Sequence, residues 1–428
     1  MNEIKELLAF IKEATSPFHV VLQSEAMLKA AGFEALIFDE PWELQQGNSY
    51  FTKVHDTTLF AFTIGKHLSD SHTFRIASAH TDHPCLHIKP NAEYTQNDYL
   101  RVNVELYGGM TKNTWLDRPL SIAGKIALKS EDVFHPNTIL LDCKRPLLTI
   151  PNIAIHMNHD LNKGVELNNQ IEMIPLLGTM NETLNKDHYF LDFLAQELNV
   201  ASEDILDFDL YIYSQDDGCE LGLSNDFVSA PRLDNLTSVF ACTKGIITGN
   251  NENTINIIAL FDNEEIGSHT KQGADSIISN LLLEKIYLGL FQSNAGLYNT
   301  ILKSHMISVD VAHGYHPNYP GKNDPTNVTL LNKGISLKIN SNQKYATDSE
   351  AIAILQQLCT TYAIPYQKYV NRSDISGGQT LGPLSSSWLP MKTVDLGVPL
   401  LAMHSARELM GAKDQASLNK LIVSFFSA

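Results

Sequence analysis

Three features of the sequence predict an α/β fold interrupted by a β-rich segment. Short apolar runs alternate with helix-period segments over residues 1–90 and again over residues 228–428. The run INIIALF, residues 255–261, is long and apolar enough for a strand buried on both faces, as strands of parallel sheets are. Between these regions, residues 91–227 shift to short alternating stretches; in residues 100–107, Val102, Val104 and Leu106 fall on one face. With 428 residues, 43% of them hydrophobic, the chain can bury a large core and exceeds the usual size of one domain.

Composition narrows the function. A formal net charge of −17 argues against nucleic acid or an anionic membrane surface as the main partner. Cys85, Cys143, Cys219, Cys242 and Cys359 are scattered, odd in number and without CxxC spacing, which suits reduced structural thiols. The opening Met1-Asn2-Glu3-Ile4-Lys5-Glu6 is charged and amphipathic rather than a signal-type apolar core, and no run of ~18 apolar residues occurs. A cytoplasmic protein is the expectation.

Taken in order, Ile4, Leu7, Leu8 and Ile11 predict an amphipathic helix that Ser16-Pro17 ends, and a second helix follows to Gly32. Residues 73–79, TFRIASA, read as a strand delivering His80-Thr81-Asp82-His83-Pro84. A histidine at a strand end with a carboxylate two residues on can serve a ligand site, and a hydrogen-bonded structural histidine fits the same local pattern. Within the β-rich part, residues 120–128 and 139–141 read as strands and residues 162–169 as surface loop. Trp115-Leu116-Asp117-Arg118 reads equally as a packed aromatic beside an ion pair, and Ile150 to His156 as a segment ending in a buried histidine.

The second α/β region opens with Pro231-Arg232-Leu233-Asp234-Asn235-Leu236 and a helix through about Ile247, which Asp234 directly precedes as either its N-cap or a ligand. The 255–261 strand hands the chain to Asp262-Asn263-Glu264-Glu265-Ile266-Gly267-Ser268. Adjacent acids at the end of a buried strand raise one another's pKa or call for a cation, although an isolated Glu-Glu pair is also found in solvated loops. A helix over 276–286 and a strand over 306–309 ending in Asp310 follow. Thr347 to Glu350 has capping-box spacing before a helix to about Tyr362. The Gly-rich Ser376 to Pro383 lacks P-loop spacing, an apolar segment over 398–403 ends in His404, and residues 414–426 close with a helix.

His80, Asp234, Glu264 with Glu265, Asp310 and His404 each lie at or just past the end of an apolar segment or at a helix start. In open α/β sheets such positions converge beyond the carboxyl ends of the strands. Two histidines and several carboxylates suit two divalent ions, zinc first, with one carboxylate bridging and the spare glutamate of the pair left as the base. Such ions, about 3.5 to 4 Å apart, polarise a carbonyl and acidify a water. The sequence has no HExxH, GxSxG, strand-following GxGxxG or GxxxxGK[ST], so metal-assisted hydrolysis is the chemistry left.

The stretches SAHTDHPCLHIKP from Ser78, IPNIAIH from Ile150, SAPRLDNL from Ser229, FDNEEIGS from Phe261, VDVAHGYHPNY from Val309 and DLGVPLLAMHSARE from Asp395 resemble the aspartyl aminopeptidase family of co-catalytic di-zinc metallopeptidases. The resemblance covers essentially the whole chain. It implies a phosphorylase/hydrolase-like catalytic domain with a central mixed sheet, residues 1–90 plus 228–428, and a β-rich insertion, residues 91–227, that mediates assembly into tetrahedral dodecamers admitting only peptides. The implied reaction is removal of an N-terminal Asp or Glu. The implied cofactor is two Zn2+ per subunit, with Mn2+ or Co2+ as substitutes.

Carried over by motif, His80 resembles a ligand of one zinc, Asp234 the bridging carboxylate, Asp310 the completion of the first ion's set, and Glu265 with His404 that of the second. Glu264 resembles the general base, and Asp82 would hold the His80 imidazole. His156, His313, Lys338 and Tyr345 match family residues around the substrate, with His156 reaching the site of a neighbouring subunit and Lys338 a partner for an acidic side chain. An exposed strand-edge lysine fits the local sequence at Lys338 as well. His83 departs from the small residue common in the family; a surface histidine is expected there, with a competing ligand or an altered pocket entrance left open. Gln379 stands where a small hydroxyl residue is common, and both departures bear on selectivity. The rival readings are a di-zinc aminopeptidase of broader specificity, a carboxypeptidase or deacylase, and a catalytically silent assembly scaffold. The scaffold is disfavoured because it need not keep Glu264 together with every implied ligand.

Overall fold

The computed structural model describes residues 3–181 and 184–428, so Met1 and Asn2 of the expected opening segment lie outside the described residues. The chain divides into two compact units, residues 1–82, 218–403 and 408–428 in the first and residues 83–217 with 404–407 in the second.

The first unit is organised by a nine-stranded mixed sheet, in the order Glu34–Leu36, Ser49–Val54, Thr58–Ile64, Thr254–Phe261, Thr73–His80, His305–Val309, Lys392–Gly397, Ile335–Lys338 and Tyr366–Tyr369. Its middle is parallel: Thr254–Phe261 pairs with Thr73–His80, which pairs with His305–Val309, which pairs with Lys392–Gly397. Four carboxyl ends therefore meet at one edge. Every residue of Thr254–Phe261 is buried, which is why the sequence there is apolar apart from Thr254 and Asn256, which bond to each other at 3.0 Å while Asn256 Nδ2 donates to Phe426 O.

The pleat sends alternate residues to opposite faces. Ile258 and Leu260 pack with Leu236 and Phe240 of helix Leu233–Thr248 and with Leu418 and Ile422 of helix Ala412–Ser427. On the other face, Ile257 and Ala259 pack with Leu282 and Ile286 of helix Ile278–Phe291. Helix Pro17–Ala30 starts with its proline in the first turn, where the missing N–H costs nothing. Helix Ser349–Thr361 is capped by Asp348, which accepts from Glu350 N and Ala351 N at 2.9 and 2.8 Å. The capping-box spacing pointed one residue earlier, to Thr347, whose hydroxyl instead accepts from Asp395 N at 3.0 Å.

A five-stranded sheet in the same unit orders Cys219–Leu221, Phe227–Ala230, Glu408–Gly411, Pro399–Leu401 and Ala312–His313. The second unit is built on a six-stranded sheet with antiparallel pairing throughout, in the order Asn137–Asp142, Leu120–Leu128, Ile205–Ser214, Cys85–Gln96, Tyr99–Tyr107 and Leu176–Thr179. It also carries helix Tyr189–Leu198, which the alternating texture did not announce. Trp115 is buried there and Arg118 pairs with Asp216, so this motif is structural. Among the described residues no helix is long and apolar enough to cross a membrane.

One glycine fixes the edge where the strands end. A Cβ on Gly397 would lie 2.0 Å from the carbonyl oxygen of Asp310 and 2.5 Å from its carbonyl carbon. Gly397→Ala must push two backbones apart, and is expected to destabilise the protein by about 2 kcal/mol or more, read as a lower denaturation midpoint. An unchanged midpoint would show that this edge yields freely.

Candidate metal centre

The site grows from the register of two strands. His80 lies opposite Phe261 in the parallel pairing, and Thr81 N donates to Phe261 O at 2.7 Å. The chain leaving Phe261 must turn at once, with Asn263 at φ 64° and Gly267 at φ 101° on either side of a single 3-10 turn, Glu264–Ile266. Asparagine tolerates that left-handed conformation and glycine is free of its cost. Asp82 secures the turn: Oδ1 accepts from Glu264 N and Oδ2 from Glu265 N, each at 3.1 Å. Oδ1 also lies 3.4 Å from His80 Nδ1, which in turn is 3.1 Å from the Asp82 carbonyl oxygen.

Around His80 Nε2 stand Asp234 Oδ1 at 3.3 Å, Asp310 Oδ1 at 3.5 Å and Glu264 Oε2 at 4.0 Å. His80, Asp234 and Glu265 each offer one ligand atom, all within 4.8 Å of one another. Asp234 reaches this place because it departs from helical geometry, with φ −77° and ψ 108°, at the head of Leu233–Thr248. Its N–H donates to Glu408 Oε2 at 2.9 Å, and Asn235 Nδ2 donates to Val309 O at 2.9 Å, which ties the helix start to the strand ending before Asp310.

Charge in this buried place does not balance. Asp234, Glu264, Glu265 and Asp310 are offset by the Lys338 ammonium, 3.2 Å from Asp310 Oδ2, and by the His80 imidazole. Burial, with the like charges of Asp310, Asp82 and Asp234 adding to it against His80, pushes Glu264 up to about 8. Burial works against charge on His80, yet its bonds to Asp234, Asp310 and Asp82 hold its pKa well above the ordinary range. Burial likewise opposes ionisation of Asp310, and Lys338 with His80 prevail to keep it below the usual carboxylate range. An imidazole among crowded, buried carboxylates is a donor set that fits zinc.

Lys338 is buried on the interior strand Ile335–Lys338, between Tyr366–Tyr369 and Lys392–Gly397, which replaces the exposed-edge alternative. Its ammonium sits 5.3 Å from the Tyr345 ring centroid. Tyr345 and His313 each lie 6.3 Å, ring to ring, from Tyr369. Tyr369 was not singled out in the sequence; its only signal is its place across from Lys338 in the parallel pairing. Asp395 was missed too, although it accepts from Ala346 N at 2.6 Å and Thr380 Oγ1 at 2.5 Å and so anchors both the Tyr345 loop and the Gly-rich loop.

Three expected residues belong to the second unit. His404 is half-buried there with Nδ1 3.0 Å from Gly109 O. His156 is exposed, contrary to the buried-histidine alternative. His83 is only 3% exposed, so the expected surface histidine is corrected: the strand that follows it, Cys85–Gln96, starts in the core with Cys85 and Leu86 buried.

Comparison with known proteins agrees in kind. The model of the family described as aminopeptidase I zinc metalloprotease (M18) matches residues 10–426. The chain is 42% identical over 424 residues to a probable M18 family aminopeptidase 2 of Clostridium acetobutylicum, covering 99% of this chain and 98% of that one. A second relative so described, from Clostridium novyi, is 42% identical over 430 residues, covering 100% and 99%. Among solved structures, a chain of the Ape4 and Nbr1 complex superposes with a TM-score of 0.93 at 34% identity, covering 98% of this chain and 84% of that one. The S. cerevisiae mApe1 dodecamer gives 0.86 at 26% identity, covering 99% and 95%. The chain therefore belongs to the M18 family of zinc metalloaminopeptidases.

Proposed function

We propose that the protein hydrolyses the peptide bond after an N-terminal Asp or Glu, using two zinc ions per subunit. The observation that carries this reading is the convergence of His80, Asp234, Glu264, Glu265 and Asp310 at the carboxyl ends of parallel strands. His80 and Asp310 would hold one ion and Glu265 the other, with Asp234 shared. The place of His404 as a further ligand rests on its sequence motif alone.

When bound, the ions would supply Lewis acidity toward the scissile carbonyl and make the attacking water more acidic. Glu264, kept close by Asp82 at its backbone N–H, takes a proton from that water and passes it to the leaving amine. Lys338, Tyr345 and His313 lie on the Asp310 side of the cluster, where the ammonium can meet an acidic side chain. His156, exposed in the second unit, would serve a neighbouring subunit.

The β-rich unit is proposed as the assembly domain of a homo-oligomer, a dodecamer as in the S. cerevisiae relative. It exposes Ile153, Ile155, Met157, Val165 and Ile171, an apolar surface that association would cover. The five scattered cysteines, odd in number and without CxxC spacing, support residence in the reducing cytoplasm.

The test is hydrolysis of chromogenic amides of Asp, Glu, Leu and N-acetyl-Asp before and after chelation and zinc return. Cleavage of the Asp and Glu amides, abolished by chelator and restored by zinc, is expected. Preference for Leu would remove the acidic specificity, and cleavage of the blocked substrate would replace the reading with a deacylase.

A further inference from the structure

Beyond Tyr369 the first unit opens into a cavity of about 560 Å3, a size typical of small-ligand sites. Its inner wall is connected to the metal cluster through side chains. His313 and Tyr369 line it, and so does Asn371, whose Oδ1 accepts from the Tyr345 hydroxyl at 3.3 Å. The charged residues on its outer wall are Lys322, Arg372 and Asp324.

These charges differ in how far they are committed. Asp324 Oδ1 accepts from Asn327 Nδ2 and N and from Thr326 N and Oγ1, at 2.8 to 3.1 Å, which holds its carboxyl down at about 2, so that it stays ionised with Oδ1 bound within its own loop. Arg372 donates to Gly321 O, and its Nε lies 2.8 Å from Asp374 Oδ1; this orients the guanidinium and leaves Nη2 uncommitted among the described residues. The exposed Lys322 ammonium has no ion-pair partner among the described residues. Lys322 and the Arg372 Nη2 are therefore the cationic donors this wall leaves open, beside the carboxylates of Asp324 and Asp374.

An aminopeptidase holds the first residue at its metal, and the remainder of the peptide must run outward. We infer that the peptide passes Tyr369 into this cavity, where Lys322 and Arg372 select a carboxylate downstream of the scissile bond, from an acidic side chain or from the C-terminus of a short peptide. This rests on the aminopeptidase reading. Gly378 gives a steric probe: a Cβ there meets nothing within 4 Å, whereas one at Gly377 would strike Asn371 Nδ2 at 2.0 Å.

The experiment compares kcat/KM of the zinc-loaded protein for Asp-Ala-Ala-Ala-amide, Asp-Ala-Glu-Ala-amide and Asp-Ala-Ala with a free carboxyl terminus. A carboxylate-bearing peptide should be preferred over the neutral amide by about fivefold, the scale of one partly exposed charged hydrogen bond. Arg372→Gln and Lys322→Gln should reduce that ratio toward one, and Gly378→Val should raise KM for the tetrapeptides. Preference for the Glu peptide assigns a side chain, and preference for the free terminus assigns the C-terminus; either upholds the inference. No preference in the unaltered protein, or one that survives both charge substitutions, overturns it. If no Asp amide is cleaved, the aminopeptidase reading falls separately. Calorimetry with Ala-Glu-Ala-amide then decides for the cavity: binding weakened by Arg372→Gln upholds it, and equal or absent binding overturns it.

Discussion

Glu264→Gln is expected to lower turnover by ~10²-fold or more while zinc content stays at the level of the unaltered protein. The amide keeps the size of the side chain and its backbone N–H still donates to Asp82, so the turn should survive. What is lost is the basic oxygen that lies 4.0 Å from His80 Nε2. Burial, with its anionic neighbours adding to it, pushes Glu264 up to about 8, whereas Asp310 is held below the usual carboxylate range, so of these two Glu264 is the readier to hold a proton. Metal analysis beside steady-state kinetics separates the roles. A variant that loses zinc would make Glu264 a ligand and Glu265 the base.

Asp82→Ala is expected to act on the metal first, weakening zinc affinity by about 10- to 100-fold, as loss of a group that orients ligands does. Three things depend on that carboxylate: the N–H of Glu264, the N–H of Glu265 and the environment of His80 Nδ1. Removing it leaves two donors without their acceptor, at a further cost on the order of 1 to 3 kcal/mol in stability. Titration against a competing chelator measures the affinity, and denaturation of the metal-free protein measures the stability. Unaltered zinc affinity would reduce Asp82 to a turn-holding residue. Asp82→Asn keeps one acceptor oxygen and should fall between.

The catalytic framework was legible because a strand buried on both faces leaves a largely apolar run and ends sharply. Thr254–Phe261 announced itself in this way and Thr73–His80 by a shorter, mixed stretch, and the residues at or just past their ends are the ones the fold gathers. The strand Cys85–Gln96 was hidden by Pro90 and by the irregular register between Ile88 and Glu93, which break the alternation a strand should show. Tyr369 and Asp395 were missed for another reason: each matters through a neighbour distant in sequence, Lys338 and Thr380, and nothing local marks them. The same limit applies to Asp82, whose link to His80 could be guessed from adjacency while its grip on the Glu264–Glu265 turn could not.

The parallel middle of the large sheet has a consequence for synthesis. Thr73–His80 takes its neighbours from Thr254–Phe261 on one side and His305–Val309 on the other, so the pairings that assemble the cluster span well over a hundred residues. Contacts of such range form late, after the intervening chain has been made. A nascent polypeptide that ends before His305 lacks Asp310 and two of the four strands in the parallel middle of the sheet. The complete cluster is therefore expected only once the chain past Asp310 and its sheet neighbours has been made.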